Sequence, residues 1–139
     1  MLISLSWLKK YVEVPDDLDS FSHELTMAGL NVERRIERGL GDPNIVTGRV
    51  LSVEKHPNAD KLTLCSVDVA SGDPRQIVCG APNVAEGQIV LVALPGAKLP
   101  DGSKIRSSKI RGVKSDGMMC SERELGLGED SGGIVVLEG

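Results

Sequence analysis

The spacing of apolar positions changes near residue 40. Before it, Leu18, Phe21, Leu25 and Ala28 recur at intervals of three and four, which places one apolar face on a helix. Pro15, Asp16 and Asp17 mark that helix's start, where acidic residues suit the positive end of the dipole. Gly29 is a natural stop. Met1 to Val12 is apolar and mixed, and Asn31 to Arg38 is short and charged. Both read as strands, so residues 1–40 are expected to run strand, helix, strand, too small a piece to be a domain by itself. Gly39-Leu40-Gly41-Asp42-Pro43 reads as a linker. Short apolar runs follow at 45–54, 60–70, 76–80, 88–94 and 133–138, divided by Gly, Pro, Asn and Asp. Residues 103–120 add strand and loop. Such spacing predicts a β-barrel or sandwich over 41–139.

The first two runs do not alternate cleanly. Leu62 and Leu64 are followed by Cys65, Val67 and Val69, and Val46 and Val50 by Leu51 and Val53. A slip of parity means a β-bulge or burial on both faces. Long strands that bend around a small barrel need such bulges to curl. Five strands with coiled early members predict a mainly β, five-stranded OB-fold, a Greek-key barrel that commonly binds oligonucleotides. An SH3-like barrel is its nearest competitor. Ser121-Glu122-Arg123-Glu124 has the spacing of a capping box and predicts one short capped helix, ended by Gly126 and Gly128.

Charge and composition then narrow the chemistry. The net charge is −4, which argues against a generic DNA or RNA coat protein. Yet Lys98, Lys104, Arg106, Lys109, Arg111 and Lys114 face only Asp101 between residues 98 and 114. That segment carries +5 and leaves −9 for the remainder. Such separation points to an anionic partner, although lysines on an exposed ribbon also deter edge-to-edge association. Aromatics are confined to Trp7, Tyr11 and Phe21. A barrel without them cannot stack a run of splayed bases, so phosphate, ribose and shape are its expected targets. The apolar stretch Ile89 to Leu94 is far too short to span a membrane, and no signal peptide is apparent. Three cysteines, Cys65, Cys79 and Cys120, with no Cys-x-x-Cys spacing, suit reduced thiols in a cytosolic protein. A zinc site from these and His56 is poorly spaced. No phosphate loop ends Gly126-Leu127-Gly128, and with only His23 and His56 no Ser-His-Asp set is apparent, so no catalytic or metal residue is assigned.

Three motifs remain. His56-Pro57-Asn58-Ala59-Asp60-Lys61-Leu62 reads as a tight turn, and its Asn58 and Lys61 are candidate RNA donors at the barrel mouth, with His56 beside them. Lys104, Arg106, Lys109 and Arg111 form the candidate phosphate patch. Gly112 to Glu122 is a turn, a strand and the capped segment; Ser115 and Ser121 are candidate phosphate ligands there, and Met118 and Met119 suit core packing.

The first motif, together with Ile77-Val78-Cys79-Gly80-Ala81-Pro82-Asn83 and Ser115-Asp116-Gly117-Met118-Met119-Cys120-Ser121-Glu122, resembles the tRNA-binding OB domain. That domain occurs as a free-standing protein and as an appendage of synthetases. Ile3 to Val12, Leu25 to Glu33 and Cys120 to Asp130 are similar to the bacterial phenylalanyl-tRNA synthetase beta subunit in particular. The resemblance implies an N-terminal fragment in which 1–40 is the first half of a split α/β domain and 41–139 is the inserted OB domain. It implies a ligase that charges phenylalanine tRNA with ATP and magnesium as a cytoplasmic tetramer of two alpha and two beta subunits. The aminoacylation site would lie on alpha, so this segment would hold no cofactor. A protein-contact module inside the tetramer is the alternative. A free-standing RNA-binding homodimer is disfavoured by residues 1–40. No DNA or membrane partner is expected.

Overall fold

The barrel is built outward from one long strand. In the computed structural model, which describes residues 1–37 and 39–138, the strands are β1 (Ile45–Lys55), β2 (Thr63–Asp68), β3 (Arg75–Cys79), β4 (Ile89–Ala93), β5 (Ser108–Ile110), β6 (Val113–Ser115), β7 (Met118–Met119) and β8 (Val136–Glu138). β1 pairs antiparallel with β2 through its second half and with β4 through its first, and β2 pairs with β3. The spatial order β3-β2-β1-β4 places the fourth strand beside the first, which is the Greek-key arrangement. The far edge of β4 is shared by two short pieces. β7 lies against Val92 and Ala93, and β8 against Ile89 and Val90. Together they occupy the fifth-strand position of an OB-like barrel. β5 and β6 form a separate two-stranded hairpin.

A strand of this length must bend to serve two neighbours, and β1 bends at a bulge. Its register against β2 slips between Val50 and Ser52, so Leu51 has no partner and faces outward. The slip returns Val53 to the face that Val46 and Val50 occupy, and all three pack in the barrel interior. β2 resolves its own change of parity the other way. Its pairing with β3 runs unbroken from Thr63 to Val67. Cys65 and Val67 point into the interior, while Leu62 and Leu64 are half-buried on the opposite side.

The interior packs Val50, Cys65, Val67, Ile77, Cys79, Val90, Val92, Met119 and Ile134 without an aromatic ring. A second apolar layer, with Ile45, Leu91, Ala93, Ala97, Leu99, Cys120 and Leu125, lies on the other face of β4. Burial raises all three thiols, Cys120 to about 11, so each stays protonated at neutral pH. No cysteine is in a disulfide.

The segment 121–127 is one capped turn rather than a regular helix. Glu124 Oε2 accepts from the Ser121 amide at 2.7 Å and its hydroxyl at 2.8 Å, and Ser121 Oγ accepts from the Glu124 amide at 3.3 Å. The turn closes at once, because Gly126 adopts a positive φ and Leu127 N–H donates to the Glu122 carbonyl.

Within Met1–Arg38, described by itself, two helices form: α1 (Leu5–Leu8) and α2 (Leu18–Met27). Asp17 caps α2: it accepts from the Ser20 hydroxyl at 2.8 Å and from the amides of Ser20 and Asp19, which together hold its carboxyl below the usual range. Leu18, Phe21 and Leu25 are half-buried, and Gly29 ends the helix at φ 96°. The strands expected at Met1–Val12 and Asn31–Arg38 do not form among the described residues; Arg38 itself lies outside them. A strand needs a ladder partner, and these two segments do not pair.

Gly48 is where β1 passes closest to the interior. A Cβ there would lie 2.7 Å from Val67 Cγ1 and 3.1 Å from both Val69 and Val92. Gly48→Ala should therefore overpack the barrel and lower stability by ~1–3 kcal/mol, read as a lower urea midpoint with an unchanged slope.

Candidate nucleic-acid interface

Alternation along two hairpins places the positive charges outside. Residues 97–105 fold back on themselves through hydrogen bonds of Leu99 N–H to the Ser103 carbonyl and Ile105 N–H to the Ala97 carbonyl, both 2.9 Å. Ala97, Leu99 and Ile105 pack into the second apolar layer, and Lys98, Lys104 and Arg106, their chain neighbours, are exposed. Asp42 anchors the base of this hairpin by accepting from the Lys98 amide at 2.7 Å; the Asn44 amide, and after it the Lys98 amide, holds its carboxyl below the usual range. In β5–β6, Ser115 is buried and Ile110 and Val113 are half-buried on the inner face. Lys109 and Lys114 are exposed on the outer one.

Register makes these charges face one another. Lys98 pairs with Lys104 across an antiparallel bridge, and Lys109 pairs with Lys114 across β5–β6. Like charges directly opposite are destabilising in a free sheet. Lys114 is relieved by Asp116 at 3.8 Å, which also pairs with Arg75 at 3.2 Å. Among the described residues, Lys98, Lys104, Arg106, Lys109 and Arg111 make no ion pair. Each hairpin thus carries one facing lysine couple, a place where a bound phosphate would relieve like-charge repulsion.

The serines proposed as phosphate ligands do something else. Ser115 is 2% exposed. Its hydroxyl accepts from the Val78 amide and donates to the Gly117 carbonyl, each at 3.0 Å. With the Asp116 amide on the Gln76 carbonyl at 2.8 Å and Gln76 Nε2 on the Lys114 carbonyl at 2.7 Å, it ties β3 to β6 and closes the barrel. Ser121 is buried in its capping turn. Neither hydroxyl is free for an outside ligand, and both assignments are corrected to structural roles.

Lys61 is exposed. Asn58 is also exposed, but its side-chain amide donates to the Arg111 carbonyl at 3.0 Å. His56 is 2% exposed, and its Nε2 lies 3.1 Å from the Ile110 carbonyl. The turn that reads as a candidate RNA contact thus grips the tip of the basic hairpin. Asn83 acts in the same manner elsewhere, exchanging two 2.9 Å hydrogen bonds with the backbone of Ile134. The hairpin register was the missed feature. Its signal is the alternation of Ser108-Lys109-Ile110-Arg111-Gly112-Val113-Lys114-Ser115 about a two-residue centre.

A Greek-key barrel with basic hairpins displayed on its surface has the build of an OB-type nucleic-acid-binding domain. Over residues 45–139 the chain matches the family described as "Putative tRNA binding domain", and it belongs to that family. Along 137 residues, 99% of its own length, it is 53% identical to the phenylalanine–tRNA ligase beta subunit of Nitratidesulfovibrio vulgaris and 52% identical to that of Aromatoleum aromaticum. It spans 17% of the length of either relative. Among solved structures, the C-terminal domain of Plasmodium vivax p43 aligns with a TM-score of 0.44 at 30% identity, over 54% of this chain and 43% of that one.

Two substitutions separate scaffold from surface. Ser115→Ala leaves the buried Val78 amide without a partner and should cost ~1–3 kcal/mol of stability. Lys109→Gln removes a like-charge pair, so its thermal midpoint should stay level or rise. Both are read in one calorimetric series.

Proposed function

We propose that this chain is the tRNA-binding module of a phenylalanine–tRNA ligase beta subunit. The observation that carries the reading is the pair of facing lysine couples on the outer faces of the two hairpins, in a domain whose family is defined by tRNA binding. Phosphate recognition by Lys98, Lys104, Arg106, Lys109, Arg111 and Lys114 supplies affinity without sequence readout. The absence of aromatics from residues 41–139 supports the same mode over base stacking. Lys61 extends the basic surface from the neighbouring turn.

The whole ligase would charge phenylalanine tRNA with ATP in the cytoplasm, as a tetramer with an alpha subunit that holds the aminoacylation site. Magnesium would serve that reaction. Among the described residues no three His, Cys, Asp or Glu side chains converge as a ligand set, so no step through a metal is assigned to this segment. No helix among the described residues is long and apolar enough to cross a membrane. The role given to this segment is capture and positioning of tRNA. A protein-contact role with little tRNA contact draws on the acidic net charge, and the family match favours the RNA reading over it.

Titration of labelled phenylalanine tRNA across a salt series tests this. Each lost phosphate contact should reduce the slope of log affinity against log salt by about one. Lys109→Ala with Arg111→Ala should therefore flatten the slope by about two and weaken unrelated tRNAs equally. Salt-independent binding, or an unchanged slope in the double variant, would overturn direct contact.

A further inference from the structure

The tip of the β5–β6 hairpin is held from outside. Its ladder has three residue pairs, too few for a ribbon to persist alone. Its two-residue loop is Arg111-Gly112, at φ 51° and 86°. Two positive φ values define the turn that matches strand twist, and glycine accepts one readily. Arginine does not: a left-handed residue other than Gly, Asn or Asp is disfavoured by its Cβ. A short ladder with a disfavoured loop would wander without a restraint at the tip.

The restraint comes from the turn after β1. The Asn58 backbone N–H donates to His56 Nδ1 at 3.0 Å. Nδ1 is therefore the acceptor, so the proton of the neutral ring sits on Nε2, which donates to the Ile110 carbonyl at 3.1 Å. The Asn58 side-chain amide donates to the next carbonyl, that of Arg111, at 3.0 Å. Two consecutive carbonyls at the hairpin tip, the last of β5 and the first of the loop, are thus gripped by one turn more than 50 residues away. The base of the hairpin is fixed separately, through Ser115, Gln76 and Asp116. The tip can be released while the barrel stays closed.

We propose that His56 and Asn58 are positioning residues for tRNA binding: they hold the loop that presents Arg111 and Lys109, so that the hairpin is ordered before RNA arrives. This rests on the reading that the hairpin contacts tRNA. Ordering in advance removes a cost from association and adds no contact to it. The two contributions therefore differ in their salt dependence.

The test uses the 139-residue chain, labelled phenylalanine tRNA and a salt series, with amide exchange of the hairpin as a readout that needs no RNA. Asn58→Ala should weaken binding roughly three- to ten-fold at every salt concentration, the worth of one hydrogen bond, while the slope stays as in the wild type. Exchange at the hairpin amides should quicken, while β1 and β4 keep their protection. Arg111→Ala should instead lower the slope by about one. In a background carrying both Lys109→Ala and Arg111→Ala, Asn58→Ala should lose most of its effect. His56→Gln, which keeps a donor, should bind better than His56→Leu; because His56 is buried, the exposed Asn58 carries the test if both fail to fold. If Asn58→Ala changes neither exchange nor affinity while Arg111→Ala flattens the slope, the positioning role is overturned and tRNA contact stands. The same holds if Asn58→Ala is as costly without Lys109 and Arg111 as with them. If tRNA binds and neither Arg111→Ala nor Lys109→Ala alters affinity, the contact reading falls, and this inference with it.

Discussion

The hydroxyl of Ser115 is where the barrel closes and where the basic surface is attached to it. β3 reaches the end of the sheet with the Val78 amide buried and no strand at regular ladder distance to receive it. One oxygen accepts that amide and returns a proton to the Gly117 carbonyl. A buried amide left unpaired would cost as much as several well-made surface contacts contribute. The position of β6 follows from this constraint. β5 follows from β6 through a two-residue loop, and the outward face of Lys109 and Lys114 follows from the alternation of the ribbon. The outward basic face is therefore set by a hydrogen bond on the inner side of the hairpin.

The polar residues of the signature motifs share one kind of work. His56 and Asn58 hold the hairpin tip, Asn83 holds Ile134, Ser115 holds β3 and Ser121 holds its own turn. Each joins a side chain to backbone, four of the five across more than 30 residues of sequence. A barrel this short of aromatic area gains less from burial per side chain. Side-chain clamps on loose backbone make up part of the specificity that large rings would otherwise supply. Residues that look like ligands in the sequence are thus mostly internal ties, and the exposed surface is left to lysine and arginine.

What the sequence carried and what it did not can be traced to single residues. The change of parity at Val50 and Leu51 marked a bulge, and the one at Leu64 and Cys65 marked burial on two faces, because both leave the same trace in an apolar pattern. The capping box at Ser121 was legible because its partners are three residues apart. The +5 segment was legible by counting. The register within it was not, since Arg111 lacks the usual Asn or Asp signature of a tight hairpin and facing lysines run against pairing preference. Ser115 and Ser121 were misread because a serine beside basic residues looks the same whether it faces solvent or core. The two N-terminal strands failed because strand formation depends on a partner, which periodicity does not reveal.

The divided fifth strand has a consequence for how this domain tolerates change. β7 and β8 each hold β4 through only two pairs, and of residues 120–135 between them Cys120, Leu125 and Ile134 are packed in while 128–132 are exposed. Extra residues in the exposed stretch past Leu127 would lengthen a loop whose two ends are already fixed at one strand edge. Loop closure grows slowly with length, about 0.6 kcal/mol per doubling. Neither the seam at Ser115 nor the two lysine couples lies within that stretch. Added length can thus collect here while the seam and both lysine couples keep their places.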